Sequence, residues 1–281
     1  MIDPSAPPPV LGPTRISGGP RSGKTEVLAR LVAHWLAEGG DPSRLVVVTR
    51  SHQALFALET RIASLLPPCH LAPRLVTQEG LARCVLRELG EPATALVALG
   101  RLGEWMAMRE ALQEVRPLLR WLDPLADDPG CVDDLLEFVS LVKQSLVGPG
   151  VLASRLRDDR GLLVELALLA GRYQDILARM GARDTRDLTS QAVTLLEQDP
   201  SRLANWADLL LVDDAEELSF AQWRLTSLLG QRLSEPRRLV MAGDRRVSIP
   251  SFRGPSPRFL DEAYPLEFHP TEWELGDRGA A

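Results

Sequence analysis

The chain has 281 residues, 45% of them hydrophobic, which is enough to bury a sizeable core in one or two domains. A formal net charge of −6 excludes a histone-like blanket attraction to nucleic acid, though not a local cationic groove. Cys69, Cys84 and Cys131 are odd in number and widely spaced, which argues against a disulfide framework, a zinc site or an iron–sulfur cluster.

Residues 1–12, with Pro4, Pro7, Pro8 and Pro9, read as a disordered or extended lead. A strand over 13–17 follows, then Gly18-Gly19-Pro20-Arg21-Ser22-Gly23-Lys24-Thr25, then a helix over 24–38 with Val27, Leu28, Leu31, Val32, Trp35 and Leu36 at helical spacing. The octapeptide fits the phosphate-loop pattern Gly-x-x-x-x-Gly-Lys-Thr in its strand–loop–helix setting. Such a loop turns backbone N–H groups and a helix N-terminus toward a triphosphate. Lys24 then reaches the outer phosphates, and Thr25 offers a hydroxyl to Mg²⁺. ATP with Mg²⁺ is the expected ligand. Pro20 removes one amide donor from the loop. Lys24 and Lys143 are the only lysines in an arginine-dominated chain, so the compact ammonium stands where a phosphate loop requires it.

Leu45–Thr49 reads as a strand buried on both faces, and a helix over 51–65 ends before Pro67-Pro68. A strand near 74–76 and a helix over 78–89 complete a βαβαβα alternation, the signature of a parallel α/β sheet. From 91 to 183 the β-branched runs vanish and Leu and Ala recur at helical spacing, as in Val132–Val147 and Gly161–Met180. The α/β pattern returns with a helix over 185–198, the apolar run 209–212, a helix over 219–230 and a strand over 239–242. The expected organisation is therefore a discontinuous ATP-binding domain over 13–90 and 184–260, a helical insertion over 91–183 and a tail over 261–281. No stretch is apolar enough to span a bilayer and the N-terminus lacks a signal-peptide core, so a reduced, cytoplasmic protein without membrane contact is expected.

Leu209-Leu210-Leu211-Val212-Asp213-Asp214 delivers two acids at the C-terminal end of a buried strand, where ligands bind in open α/β sheets. A phosphate-loop ATPase needs one carboxylate there for Mg²⁺ and another to orient the attacking water. Asp213 and Asp214 are the candidates, with Lys24, for the catalytic set; the alternative is that they only cap the helix starting near Ser219.

Five stretches in order resemble a UvrD/Rep-like superfamily 1 DNA helicase of the group that includes RecB-type proteins. Gly18–Thr25 resembles motif I and Val46–Ser51 motif Ia. Val76–Ala82 resembles the next single-strand-contact segment. Asp184–Leu188 with Leu211–Glu217 and Gln222 resembles the approach to motif II and motif II itself. Ala242–Gly254 resembles motif III. The resemblance implies a RecA-like phosphate-loop sheet with an inserted all-helical subdomain, and contacts to single-stranded DNA from Thr49, Arg50, Thr77, Phe252 and Arg253. It further implies a second RecA-like domain, in a separate chain or segment, that completes the ATP cleft and allows three-prime-to-five-prime stepping.

The departures fall on catalytic positions. Asp214 replaces the family's Glu and is shorter by one C–C bond, roughly 1.5 Å. Val247 stands where the family has the γ-phosphate-sensing Gln, Glu216 and Glu217 replace Gln-Asp, and Pro250 replaces a base-stacking Tyr while Phe252 remains. Phe252 is either a stacking platform or a core aromatic, and Arg253 either a phosphate contact or an internal ion-pair partner. Two functions stay open: a helicase module that binds ATP and single-stranded DNA in repair or recombination, or a degenerate paralogue serving as scaffold or DNA-binding subunit.

Overall fold

The structure, a computed structural model, describes residues 2–67, 72–92, 97–148, 151, 161–245 and 256–276. They form two compact units, one of residues 1–84 with 195–281 and one of 85–194.

The first unit is built on β1 (Thr14–Ser17), β2 (Leu45–Thr49), β3 (Arg74–Thr77), β4 (Leu209–Val212), β5 (Arg238–Gly243) and β6 (Thr271–Glu274), paired in the order β3-β2-β4-β5-β1-β6. Every pairing among these described strands is parallel. β2 and β4 are buried at every residue, as their unbroken apolar runs require of strands covered on both faces. In this order β4, β5 and β1 are consecutive neighbours, so the turns that follow them emerge side by side at one edge of the sheet. That single topological fact brings residues 18–25, 213–217 and 243–244 together.

Helices α1 (Lys24–Ala37) and α2 (His52–Leu65) pack on the sheet through Val27, Leu28, Leu31, Val32, Leu58 and Ile62. Glu26 on α1 accepts from Arg30 (2.5 Å) and from Arg61 on α2 (2.5 and 2.7 Å). The Arg61 hydrogen bond, aided by Arg30, holds the Glu26 carboxyl down at about 2 against the opposing effect of burial. A depressed carboxyl stabilises the fold above its unfolded pKa, and that stability is lost as pH falls through the folded value. Glu26→Gln is therefore expected to cost about 1–2 kcal/mol at pH 7 after screening, with the difference fading toward pH 3. Urea titrations of both proteins at the two pH values check this; equal stability at pH 7 would remove the ion triplet from the account.

The segment expected as a tail beyond 260 instead completes the sheet. A π-helical turn (Phe259–Ala263) and a short helix (Tyr264–Phe268) lead into β6, which pairs with β1 in the register Ile16↔Trp273. Three residues, Arg15, Tyr264 and Trp273, fix it there. Arg15, 6% exposed, donates to Glu272 (2.7 Å) and to the Leu260 carbonyl (3.0 Å). The fully buried Tyr264 hydroxyl lies between the carbonyl oxygens of Leu239 (2.6 Å) and Thr14 (3.2 Å). Trp273 is the one inward residue of a strand otherwise exposed, so the periodic signal was too short to read. The lead is also tied down rather than loose: the Ile2 amide donates to Glu274 and Arg238 to the Val10 carbonyl.

The second unit is helical throughout its described residues, entered through α3 (Gln78–Glu88) and left through α7 (Thr185–Gln198). Between them α4 (Arg101–Val115), α5 (Pro129–Gln144) and α6 (Leu162–Arg179) share a core of Met108, Leu112, Leu135, Leu169, Tyr173 and Ile176. Within this core Lys143, 8% exposed, donates to Asp184 and Asp187 at 2.7 Å each and lies over the Tyr173 ring.

Candidate nucleotide site

The phosphate loop needs its glycines at two positions. A Cβ on Gly18 would fall 2.4 Å from Ser22 Oγ and 3.0 Å from Leu275 Cβ, and Gly23 sits at φ 101°, a left-handed conformation that side chains rarely adopt. The loop is anchored below by the Gly18 amide on the Gly243 carbonyl (3.3 Å). Lys24 bends back over the loop, its Nζ donating to the carbonyl oxygens of Gly18 (2.7 Å) and Gly19 (3.0 Å). Residues Pro20–Thr25, with Asp214, Glu216 and Asp244, line an open cavity of about 450 Å³, within the size range of small-molecule sites.

At its floor, Thr25 Oγ1 donates to Asp213 Oδ2 at 3.2 Å, while Asp213 Oδ1 accepts the Asp214 amide at 3.0 Å. Sequence placed these two side chains 188 residues apart; β4 lying next but one to β1 joins them. Asp213 is 5% exposed, and burial followed by the Asp214 charge raises its carboxyl to about 6. A hydroxyl beside a buried carboxylate, with an ammonium near by, is a donor set suited to a hydrated Mg²⁺. The buried Ser22 Oγ, which has no hydrogen-bond partner among the described residues, adds a free polar atom under the phosphate loop.

Asp214 occupies a left-handed turn (φ 51°, ψ 43°) that Asp tolerates better than most residues, at the mouth of the cavity. Its carboxylate faces Arg50, with Nε to Oδ2 at 3.9 Å, and Arg50 also makes a very short contact with Glu217. Thr49 is fully buried and donates to the Ser51 carbonyl, so its hydroxyl shapes the turn after β2. Thr77 accepts the Gly80 amide at 3.1 Å and caps α3. Arg50 alone of these three is open to solvent, its side chain 55% exposed. Phe252, Arg253, Val247 and Pro250 lie outside the described residues.

Glu216 was missed as a site residue. It stands on a single 3-10 turn (Ala215–Glu217) beside Glu217, which turns to Arg50, and nothing in two adjacent glutamates says which will turn inward. Its Oε2 is shielded from solvent and without a hydrogen-bond partner among the described residues, packed against Gly243, where a Cβ would come within 2.6 Å. Burial, with the Asp214 charge, pushes its carboxyl up to about 7, against the pull of the Glu216 and Asp244 amides and of Lys24. A raised carboxyl costs stability that develops as pH rises from its unfolded value to its folded one. Glu216→Gln is thus expected to stabilise the chain by about 1–3 kcal/mol at pH 8 and by nothing near pH 4. Denaturant midpoints across that range test it; a pH-independent difference would mean that Glu216 is not buried as charge.

A phosphate loop, a partnered Thr–Asp pair and a parallel sheet in this strand order define a phosphate-loop nucleotide-binding domain of RecA-like architecture. The chain belongs to the UvrD/REP helicase N-terminal domain family, whose profile matches residues 4–266. Relatives include the ATP-dependent DNA helicase PcrA of Leuconostoc citreum, 29% identical over 86% of this chain and 32% of its own length. The ATP-dependent DNA helicase Rep of Salmonella typhimurium is 26% identical over 89% of this chain and 36% of its own. The ATP-dependent DNA helicase UvrD1 of Mycobacterium leprae is 27% identical over 86% of this chain and 32% of its own. The chain thus spans about a third of the length of these three helicases. No helix among the described residues is long and apolar enough to cross a membrane.

Proposed function

We propose that this chain is the ATP-binding and single-stranded-DNA-binding module of a UvrD-like helicase that acts in DNA repair or recombination in the cytoplasm. The observation that carries the reading is the Thr25–Asp213 hydrogen bond beneath a loop whose Lys24 is poised on its own carbonyls. Gly18–Thr25 wrap the triphosphate, and Lys24 leaves Gly18 and Gly19 for the outer phosphates. Thr25 and Asp213 hold Mg²⁺, which supplies charge neutralisation across the phosphates when bound. Asp214 orients the attacking water, and Arg50, with Phe252 and Arg253, meets the strand. A second RecA-like domain supplies the rest of the cleft, and with it three-prime-to-five-prime stepping. Arginine fingers from such a domain are worth about 10³–10⁵ in turnover in related phosphoryl-transfer enzymes.

A second reading, a catalytically degenerate helicase paralogue serving as a scaffold or DNA-binding subunit of a repair complex, is favoured by Asp214: shorter than the family's Glu and turned toward Arg50. ATP hydrolysis by the purified chain, with and without oligo(dT), separates the two. DNA-stimulated hydrolysis supports the motor module, Mg-ATP binding without hydrolysis supports the scaffold, and loss of both binding activities sinks the proposal.

A further inference from the structure

Arg50 follows directly on β2, whose neighbour in the sheet is β4, and the residue just after β4 is tied to β2 by the Asp213 amide on the Val48 carbonyl at 2.9 Å. The turn after β2 and the acidic turn after β4 are therefore fixed side by side. Across that short gap one guanidinium serves two carboxylates: Nη1 contacts Glu217 closely and Nε lies 3.9 Å from Asp214. Glu217, and after it Asp214, hold the guanidinium more firmly in its charged form than solvent would. All three side chains reach solvent, with Arg50 at 55%, Asp214 at 31% and Glu217 at 27% exposure.

A guanidinium binds a phosphate best by presenting one whole edge of parallel N–H donors. Here the Nε side is turned to Asp214 and the Nη1 side to Glu217. A strand phosphate that takes either whole edge of Arg50 therefore competes with an acid. We infer that Arg50 is a positioning residue with two mutually exclusive sets of partners, the acidic turn in the free chain and a strand phosphate in the bound one, so that strand binding releases Asp214 and Glu217. The inference rests on the strand-binding reading above and adds the route by which a strand is felt at the nucleotide cavity. Because Asp214 lines that cavity, the coupling is reciprocal: whatever draws Asp214 inward frees Arg50 for the strand by the same factor. Exposed pairs of this kind are weak, which suits a contact that must exchange.

The test is a double-mutant cycle in the affinity of the full chain for fluorescein-labelled oligo(dT), requiring no hydrolysis. Glu217→Gln is expected to tighten binding about 2- to 5-fold, because Arg50 no longer has to be taken from it. Arg50→Gln is expected to weaken binding, and in that background Glu217→Gln should change nothing. Arg50→Lys, which keeps the charge but loses the two-edged fork, should recover part of the affinity and none of the coupling. Equal tightening by Glu217→Gln in both backgrounds would show general charge relief and overturn the inference while leaving strand binding intact. A wild-type chain that does not bind oligo(dT) overturns both. Thermal melting of each variant confirms that these surface changes leave the fold in place.

Discussion

Lys24→Ala is expected to lower the affinity of the chain for Mg-ATP by about 30- to 1,000-fold, that is about 2–4 kcal/mol. The magnitude follows from where the ammonium sits. In the free chain its donors are spent on the Gly18 and Gly19 carbonyls, contacts that a triphosphate exchanges for charged oxygens. Charge-assisted bonds are roughly twice as strong as neutral ones, so the exchange favours binding and its loss is large. Alanine also leaves Asp214, Glu216 and Asp244 facing an incoming polyanion, with Arg21 the one remaining cation among the described residues that line the cavity. The fold should be unaffected, because Lys24 is partly exposed on the loop and α1 keeps its buried face of Val27, Leu28 and Leu31. A fluorescent ATP analogue titrated in Mg²⁺, alongside thermal melting, gives both quantities. Undiminished affinity in a folded variant would mean that the cavity is not a nucleotide site.

The second large effect is expected far from that cavity. Asp184→Ala should destabilise the helical unit by about 3–5 kcal/mol, lowering its thermal midpoint by roughly 13–22 °C. Asp184, 4% exposed, accepts from Lys143 (2.7 Å) and from the Tyr173 hydroxyl (3.3 Å). Its other oxygen accepts the amides of Arg186 (2.9 Å) and Asp187 (3.1 Å) and so starts α7. Truncation leaves the buried Lys143 with Asp187 alone, orphans a fully buried hydroxyl and removes a helix cap, and these losses act at one place. Asp184→Asn keeps an acceptor for the amides and should cost about half as much. If the alanine variant melts within about 2 °C of wild type, the cluster is not the keystone of this unit.

These two lysines show how much was legible beforehand. Lys24 announced itself because a phosphate loop is a local object, with every required residue inside eight positions and its strand and helix on either side. Lys143 carried no such signal. A lysine late in an apolar helical pattern reads as a solvated charge, and only the packing of α5 against α6 and the start of α7 makes it a buried partner of two aspartates. The same divide runs through the acids. Asp213 and Asp214 were visible at the end of an apolar strand, whereas Glu216 and Glu217 are indistinguishable as letters. A single 3-10 turn sends one under Gly243 and the other to Arg50. Thr49 and Thr77 matched a family pattern, yet their hydroxyls are taken up by the turns they begin.

By itself the sequence determined the phosphate loop, the central strands and the helices between them, and the helical character of the insertion. Each of these rests on periodicity or on contacts between near neighbours, which a linear reading contains. Tertiary structure alone decided that β5 lies between β4 and β1, that Thr25 meets Asp213, that β6 closes the sheet through Arg15, Tyr264 and Trp273, and that Arg50 bridges the acidic turn. Those are contacts across many residues of chain, set by strand order and by the cost of burying an unpaired charge, and no local pattern encodes which partner fulfils them.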